Sequence, residues 1–346
     1  MARILFALPR FHTNLWFAAR AMKTAGHELQ FLVNKLDRGE DYSFVTPQAL
    51  GKDTKQSDVT QIVDAFKPDI VFVRNAWSLS RQVAWAARGR APTLLYNLQP
   101  LNQQTSLLRR AELFIKILPR HRITPVAGWP QGGSPDPFAT YLPWPVAALP
   151  APQPFPKPEG KLHLVCVGKL GLPRKNQPQL IEAMAAAGLD RHYHVTLVGS
   201  APKPDLPGQK AHAARIDAIA KLSWVTLRSG IAYKDMANLY TTADVCVLPS
   251  FDEPLGISPV EAMAYGAIPV ISSDSGSAGY IRQGENGFVV DMHHPETAAD
   301  ALLRIAEDPE LRQTLSAEAR RTTETELSEA TFLQRLDAIL ADRLPA

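Results

Sequence analysis

The sequence predicts an α/β protein of two doubly wound, Rossmann-like domains facing across a cleft. Three observations carry that expectation. Short β-branched apolar runs alternate with helix-length amphipathic segments in two separate series, the pattern of parallel sheets with crossover helices. The alternation stops once, at Pro150, Pro152, Pro154, Pro156 and Pro158, a stretch too rich in proline for helix or central strand and read as a linker. A chain of 346 residues is also too long for one ordinary core and fits two domains of about 150 to 180 residues.

In the first series, strand patterns cover 3–8, 28–33, 69–74 and 93–97, with helical patterns over 15–25 and 59–66. Gly26 ends the first helix as a glycine cap, and His27 and Glu28 lead into the second strand, which gives His27 a structural part. The second series begins at Leu162 and places strands at 194–198, 224–227, 245–248, 268–271 and 288–290. From Pro295 onward the chain is helical in period. The expected division is a domain over 1–150, a domain over 151–326 and a C-terminal helix over 327–346.

Composition agrees with a soluble globular protein: 45% hydrophobic and 21% charged residues. No apolar run approaches the ~18 residues of a membrane span. Met1 to Leu8 lacks a basic region followed by a long apolar segment, so it reads as a first strand and the expected location is the cytoplasm. Cys166 and Cys246 lie inside strand patterns, as small hydrophobes rather than disulfide or metal partners. The net charge of +3 conceals an asymmetry: residues 1–150 hold 18 Lys/Arg against 10 Asp/Glu, or +8, and residues 151–346 hold 19 against 24, or −5. A basic first half fits an anionic acceptor, an anionic membrane surface or simply a solvated face.

The chemistry concentrates after the buried-strand pattern of Val245 to Leu248, where Glu253 and Glu261 bracket Gly256 and the start of a helix. Ser258 is placed to cap the Glu261 amide, Pro259 takes the first helical position and Glu261 completes a capping box. A helix tip at the carboxyl end of a parallel strand offers amides and partial positive charge to a phosphate. Gly256 lets the backbone come close, and Glu261 can accept from a vicinal diol such as a ribose. A plain helix cap explains Ser258, Pro259 and Glu261 but leaves Glu253 and Gly256 unexplained.

The spacing of Glu253 and Glu261, followed by Ala262, Met263, Ala264, Gly266, Pro269 and Val270, resembles the retaining glycosyltransferases of family 4, which have the GT-B fold. The resemblance continues through Val165 to Lys169 with Lys175 and Asn176, Val198-Gly199, Gly230-Ile231, Met236 to Asp244 and Ile281 to Val290, covering most of 160–300. It implies that Glu253 contacts the donor hexose and supports positive charge at its anomeric carbon, that Glu261 binds the ribose and that Ile231 meets the base. Gly168, Gly199, Leu255, Gly256, Ile257 and Ser258 would complete the donor site. It also implies same-face attack, with the acceptor proton passing to the departing phosphate oxygen and no carboxylate nucleophile.

The leaving diphosphate must be stabilised by a metal or by fixed cations and dipoles. The chain contains no Asp-x-Asp, which favours the second route: no metal and no cofactor, with the nucleotide sugar, expected to be UDP-linked, as a substrate. Lys169 and Lys175 are expected to reach one diphosphate. Lys169 stands where the family usually has arginine, a point charge in place of a bidentate grip, and Arg174 is the substitute.

The first domain departs from the family pattern: Leu8 to Asn14 replaces a Gly-Gly loop, and Tyr96 to Pro100 replaces a histidine. Arg10 and His12, after the first strand, are expected at the acceptor or its phosphate. Leu107 to Arg122 mixes large apolar residues with five Lys/Arg and fits either a membrane-docking segment or a core-packed helix followed by a strand, the second being preferred. The expected activity is metal-independent, retaining hexosyl transfer to a glycan or glycolipid in bacterial surface polysaccharide synthesis, in the cytoplasm or at the inner face of the plasma membrane, with no nucleic-acid partner. The rivals are a sugar-nucleotide 2-epimerase of GT-B shape and an inactive nucleotide-sugar-binding subunit.

Overall fold

The structure, a computed structural model, describes residues 1–37, 40–51, 53–74, 78–115, 118–119, 121–128, 133–202 and 210–343. Lys116, Ile117 and Arg120 of the basic stretch lie outside the described residues. The chain divides into two compact units, Met1–Pro145 with Leu327–Ala346, and Val146–Glu326.

Unit 1 contains β1 (Arg3–Leu8), α1 (Trp16–Thr24), β2 (Glu28–Val33), β3 (Gln48–Ala49), α2 (Gln56–Phe66), β4 (Ile70–Arg74), α3 (Ser78–Ala87), β5 (Thr93–Tyr96), α4 (Leu107–Ile115), β6 (Arg122–Thr124) and β7 (Ala139–Tyr141). Its strands form one parallel sheet in the order β3-β2-β1-β4-β5-β6-β7. Side chains alternate across it. Leu5, Ala7, Leu32, Val71 and Val73 face Val59 and Val63 of α2, Val83 of α3 and Leu113 of α4. Phe6 lies in register with Phe31 and Phe72 and stacks on both, at centroid distances of 4.7 and 5.0 Å. A sheet apolar on both faces needs helices on both, which is why it is doubly wound.

Unit 2 contains β8 (Leu162–Val167), α5 (Gln177–Ala186), β9 (Tyr193–Val198), α6 (Lys210–Ile219), β10 (Val225–Arg228), α7 (Met236–Tyr240), β11 (Val245–Leu248), α8 (Ser258–Met263), β12 (Ile268–Ser272), β13 (Phe288–Val290), α9 (Glu296–Glu307) and α10 (Pro309–Thr325). The sheet is parallel throughout, in the order β10-β9-β8-β11-β12-β13. Leu164, Cys166, Val245 and Val247 join the core of α5, α6 and α9, while Val165 and Cys246 join that of α7 and α8. Burial pushes the Cys166 thiol up to about 12 and raises that of Cys246, so both stay protonated.

The final helix, α11 (Glu329–Arg343), belongs to unit 1. It packs on α1, where Arg20 Nε meets Glu329 Oε1 at 2.7 Å, and Phe332 lies against Trp144. The proline-rich stretch is fastened to unit 2 rather than free of both. The Leu149 amide donates to Tyr265 Oη, the Gln153 amide to Asn238 Oδ1 and the Phe155 amide to the Asn238 carbonyl. Among the described residues, no helix is long and apolar enough to cross a membrane.

One buried histidine ties the base of unit 2 together. His163 is 2% exposed, with Nε2 at 2.8 Å from Thr196 Oγ1 and Nδ1 at 3.2 Å from the Thr242 carbonyl. Burial holds its pKa below the ordinary 6.5, so the unfolded chain takes up the proton more readily than the fold does. The resulting stability is present above about pH 6.5 and is lost as pH falls towards the folded value. Thermal melts across this range are expected to show wild type losing stability on acidification, and His163→Gln to show a shallower decline.

Candidate functional site

From β8 the chain crosses to β9 and β10 on one side, then returns at β11 on the other side of β8. The loops leaving β8 and β11 therefore diverge, and a crevice opens at the carboxyl ends of these strands. Gly168 to Asn176 follows β8, Gly199 follows β9, Gly230 and Ile231 follow β10, and Pro249 to Ile257 follows β11.

At this divergence Glu253 Oε2 accepts from Lys175 Nζ at 2.5 Å and from Arg174 Nη1 at 2.9 Å. Glu253 and Lys175 are nearly buried, with 11% and 13% of their side chains exposed, while Arg174 is 41% exposed and reaches in from the surface. Backbone bonds fix both sides of the cluster. The Phe251 amide donates to the Arg174 carbonyl, the Glu253 amide to the Asp274 carbonyl, and the Gly276 and Ser277 amides to the carbonyls of Glu253 and Leu255. The segment after β12 thus continues the sheet onto the loop after β11 through a parallel bridge between Glu253 and Ser275.

Glu261 occupies a different setting. Tyr233 Oη donates to its Oε1 at 3.2 Å and Tyr240 Oη to its Oε2 at 3.0 Å. Tyr240 is buried, and burial together with the Glu261 charge raises its hydroxyl well above the usual tyrosine value, so it remains a donor. The expected capping box does not form. The Glu261 amide bonds the Ile257 carbonyl, and Ser258 Oγ, already inside the first turn, points to the Val167 carbonyl at 3.4 Å. The cause is Ile257, whose φ of −74° and ψ of −20° are helical and start the turn one residue early, leaving the Glu261 carboxylate for the tyrosines.

The loops are held under backbone constraint. Of the three non-glycine residues with positive φ among the described residues, Asn176 and Asp252 directly adjoin Lys175 and Glu253, the kind of local strain that gathers at functional sites. Gly256 has φ of 72°, and a Cβ there would stand 2.2 Å from Leu248 Cδ2 and 3.0 Å from Glu253 Cγ. At Gly199 a Cβ would stand 2.0 Å from the Gly168 carbonyl oxygen, so β8 and β9 end closer together than any side chain permits. Gly168 in turn gives passage to the Lys175 stem, whose Cδ would lie 3.3 Å from an added Cβ. Buried polar atoms without a protein partner also collect here: Asn176 Nδ2, Gln177 Oε1, and the hydroxyls of Ser250, Ser275 and Ser277. Their clustering on the same loops marks a region built for more contacts than the fold itself supplies.

The structure brings Gly168, Arg174, Lys175 and Glu253 together but leaves Lys169 exposed beyond them. Lys175 and Arg174 are the cations that meet Glu253 there. Ile231 packs beside Tyr233 on the apolar cluster of α7 and α8. In unit 1, Arg10 and His12 turn towards acidic residues: Arg10 Nη1 meets Asp37 Oδ2 at 2.6 Å, and His12 Nδ1 lies 4.0 Å from Glu40 Oε1. Neither lines the pocket of about 520 Å³ at the carboxyl ends of β1, β2 and β3, where Pro9, Asn34, Lys35, Thr54, Ser78 and Gln82 contribute to the wall.

Sequence reasoning missed Tyr233, Tyr240, the Ser275 to Ser277 strap and this pocket. Tyr240 lies within the Met236 to Asp244 stretch that the sequence singles out, but no local spacing pairs its hydroxyl with Glu261 of α8. The strap and the pocket arise from loops whose mutual placement no local pattern encodes.

A model of the family described as Glycosyl transferases group 1 matches residues 150–322. A D-inositol 3-phosphate glycosyltransferase from Paenarthrobacter aurescens (strain TC1) is 31% identical over 159 residues, covering 44% of this chain and 37% of that protein, so the chain spans little more than a third of this relative's length. The crystal structure of Anabaena Alr3699/HepE in complex with UDP-glucose superposes with a TM-score of 0.74 at 16% identity, covering 99% of this chain and 100% of that one. That of WaaG, a glycosyltransferase involved in lipopolysaccharide biosynthesis, gives a TM-score of 0.59 at 17% identity, covering 97% and 99%. At these identities the structural likeness is one of fold, and the fold is GT-B.

The geometry at Gly256 makes a direct prediction. Gly256→Ala forces both a strained φ and a clash with Leu248, which is expected to cost about 1–3 kcal/mol. A chemical denaturation curve with an unchanged midpoint would contradict it.

Proposed function

The chain belongs to the glycosyl transferases group 1, a transferase family, and on that footing we propose that it moves a hexose from a nucleotide sugar to a glycan or glycolipid acceptor, with retention of configuration and without a metal ion. The observation that carries this reading is the convergence of Lys175 and Arg174 on one oxygen of Glu253 at the strand divergence of unit 2. Two cations against one carboxylate leave a positive surplus, to which exposed Lys169 adds, and a diphosphate is the anion that such a crevice takes.

In the proposed reaction the bond between the anomeric carbon and the diphosphate oxygen breaks, and its electron pair leaves with the diphosphate. Lys175 and Arg174 stabilise that growing charge. Glu253, whose Oε2 takes both cations, lies on the sugar side in this reading, where the carboxylate offsets positive charge at the anomeric carbon. The acceptor hydroxyl bonds to the same face of that carbon, and its proton passes to the departing phosphate oxygen. Glu261, held by Tyr233 and Tyr240, binds the ribose diol; Ile231 meets the base; Gly168, Gly199, Leu255, Gly256, Ile257 and Ser258 let the backbone approach sugar and phosphates.

UDP is the proposed carrier, supported by the fold shared with a protein solved in complex with UDP-glucose. The acceptor is assigned to unit 1. Its pocket offers amides, hydroxyls and Lys35, a set suited to a polyol with an anionic group, and Arg10 and His12 follow Pro9 on the same loop. Surface polysaccharide synthesis on the cytoplasmic side is the proposed setting, supported by the fold shared with WaaG and by the basic charge of residues 1–150.

The test combines binding and turnover. With EDTA present, UDP-sugars are expected to raise the melting temperature by mass action. Lys175→Ala and Glu253→Ala are each expected to reduce transfer at least ~10²-fold while the protein stays folded. Undiminished transfer in both variants rejects the site, and a requirement for added divalent ion rejects the metal-independent route.

A further inference from the structure

We propose that the cavity between α11 and the β5–β6–β7 edge of unit 1 binds a small phosphomonoester together with a proton on His121. The site belongs to unit 1 and stands apart from the donor crevice of unit 2. Its volume is about 270 Å³; Arg335, Asp342 and Arg343 line it from α11, and His121, Thr140 and Tyr141 line it from the sheet edge. His121 stands just before β6, at the amino end of that strand, whereas the larger pocket of this unit lies at the carboxyl ends of β1, β2 and β3.

Charge selects the occupant. Two arginines share one carboxylate. Arg343 Nε meets Asp342 Oδ2 at 3.0 Å, a sequence neighbour whose side chain is 70% exposed. Arg335 lies over the Tyr141 ring, 5.1 Å from its centroid, and pairs with no carboxylate among the described residues. Arg343 Nη2 also donates to His121 Nδ1 at 3.1 Å. A guanidinium has only donors, so Nδ1 carries no proton, and Nε2 donates to Thr140 Oγ1 at 2.8 Å. Burial first, then Arg343, hold the His121 pKa below the ordinary 6.5; Asp342 and Asp136 act in the opposite sense, and Arg122 adds to the lowering. Asp136 is itself taken by Arg122 at 3.2 Å. A dianion between Arg343 and His121 would accept from both, replacing a cation's bond to a neutral nitrogen with charge-assisted bonds to oxygen. The imidazole would then keep its proton, so ligand and proton favour one another, and binding tightens as pH falls below about 6.5. The cavity exceeds the size of a lone oxyanion, and Leu94 and Ile339 give it an apolar wall suited to a small carbon skeleton.

Calorimetric titration with inorganic sulfate tests the proposal, because the charge of sulfate is constant over the range in which His121 titrates. Wild-type protein is expected to bind it at least about threefold tighter at about pH 5.5 than at about pH 8. Arg335→Met with Arg343→Met is expected to weaken binding at least about tenfold with circular dichroism unchanged. His121→Gln, which can keep the bond to Thr140 but cannot gain charge, is expected to bind with no such pH dependence. Glycerol phosphate is expected to displace sulfate, and acetate to leave it in place. Wild-type protein that binds no sulfate overturns the proposal, as does a double variant that binds it equally well. Binding that Lys175→Ala abolishes and the double variant retains overturns it in favour of the donor crevice. An unchanged pH dependence in His121→Gln overturns the proton linkage, and equal displacement by acetate overturns the phosphomonoester.

Discussion

Oε2 of Glu253 accepts from Lys175 and Arg174 at once, and the architecture of unit 2 is organised around making that encounter possible. The partners are far apart in sequence and meet because β8 and β11 are neighbours in the sheet while the connections between them pass through β9 and β10. Nearly buried, the Lys175–Glu253 pair must be closely matched, since desolvation outweighs attraction when geometry is poor. The surrounding structure supplies that match: the Phe251 amide on the Arg174 carbonyl, the strap after β12 on the Glu253 backbone, and a glycine at 256 where no Cβ fits.

The carboxylates of Glu253 in the loop and Glu261 in α8 therefore have different physical work, although the sequence presents them as a pair. Glu253 balances cations and is open to charge appearing beside it. Glu261 is satisfied by tyrosine hydroxyls, which donate hydrogen bonds without neutralising it. The two tyrosines set the orientation of the carboxylate. Tyr240 is buried in the core and Tyr233 is half-buried at its edge.

Much of this was legible in the sequence, and the limits have physical causes. The strands β8, β9, β11 and β12 announce themselves because central parallel strands are apolar on both faces. The two- and three-residue strands β3 and β7 have no period to read. Glu253, Lys175 and Gly256 stood out because chemistry and spacing agreed. The capping box of Ser258 and Glu261 was a sound local inference, overridden by the helical dihedrals of Ile257 and by two tyrosines from another helix and its approach. That Arg174 reaches Glu253 follows from the fold, since no local pattern joins residues on the loops after β8 and β11.

The same contest between local pattern and long-range packing explains α4. Its sequence carries one apolar stripe and one apolar residue off the stripe, and periodicity alone assigns the stripe to the core. The fold reverses the assignment: Leu113 and Leu118 join the core with Leu95, while Leu107, Leu108, Phe114 and Ile115 stay exposed. Nearby, Arg122 is buried with its guanidinium on Asp136 and on the carbonyls of Gln99, Pro100 and Gln103. The periodicity records that a stripe exists, and only the burial of Leu113 and Leu118 beside Leu95 decides which side of the helix the core takes.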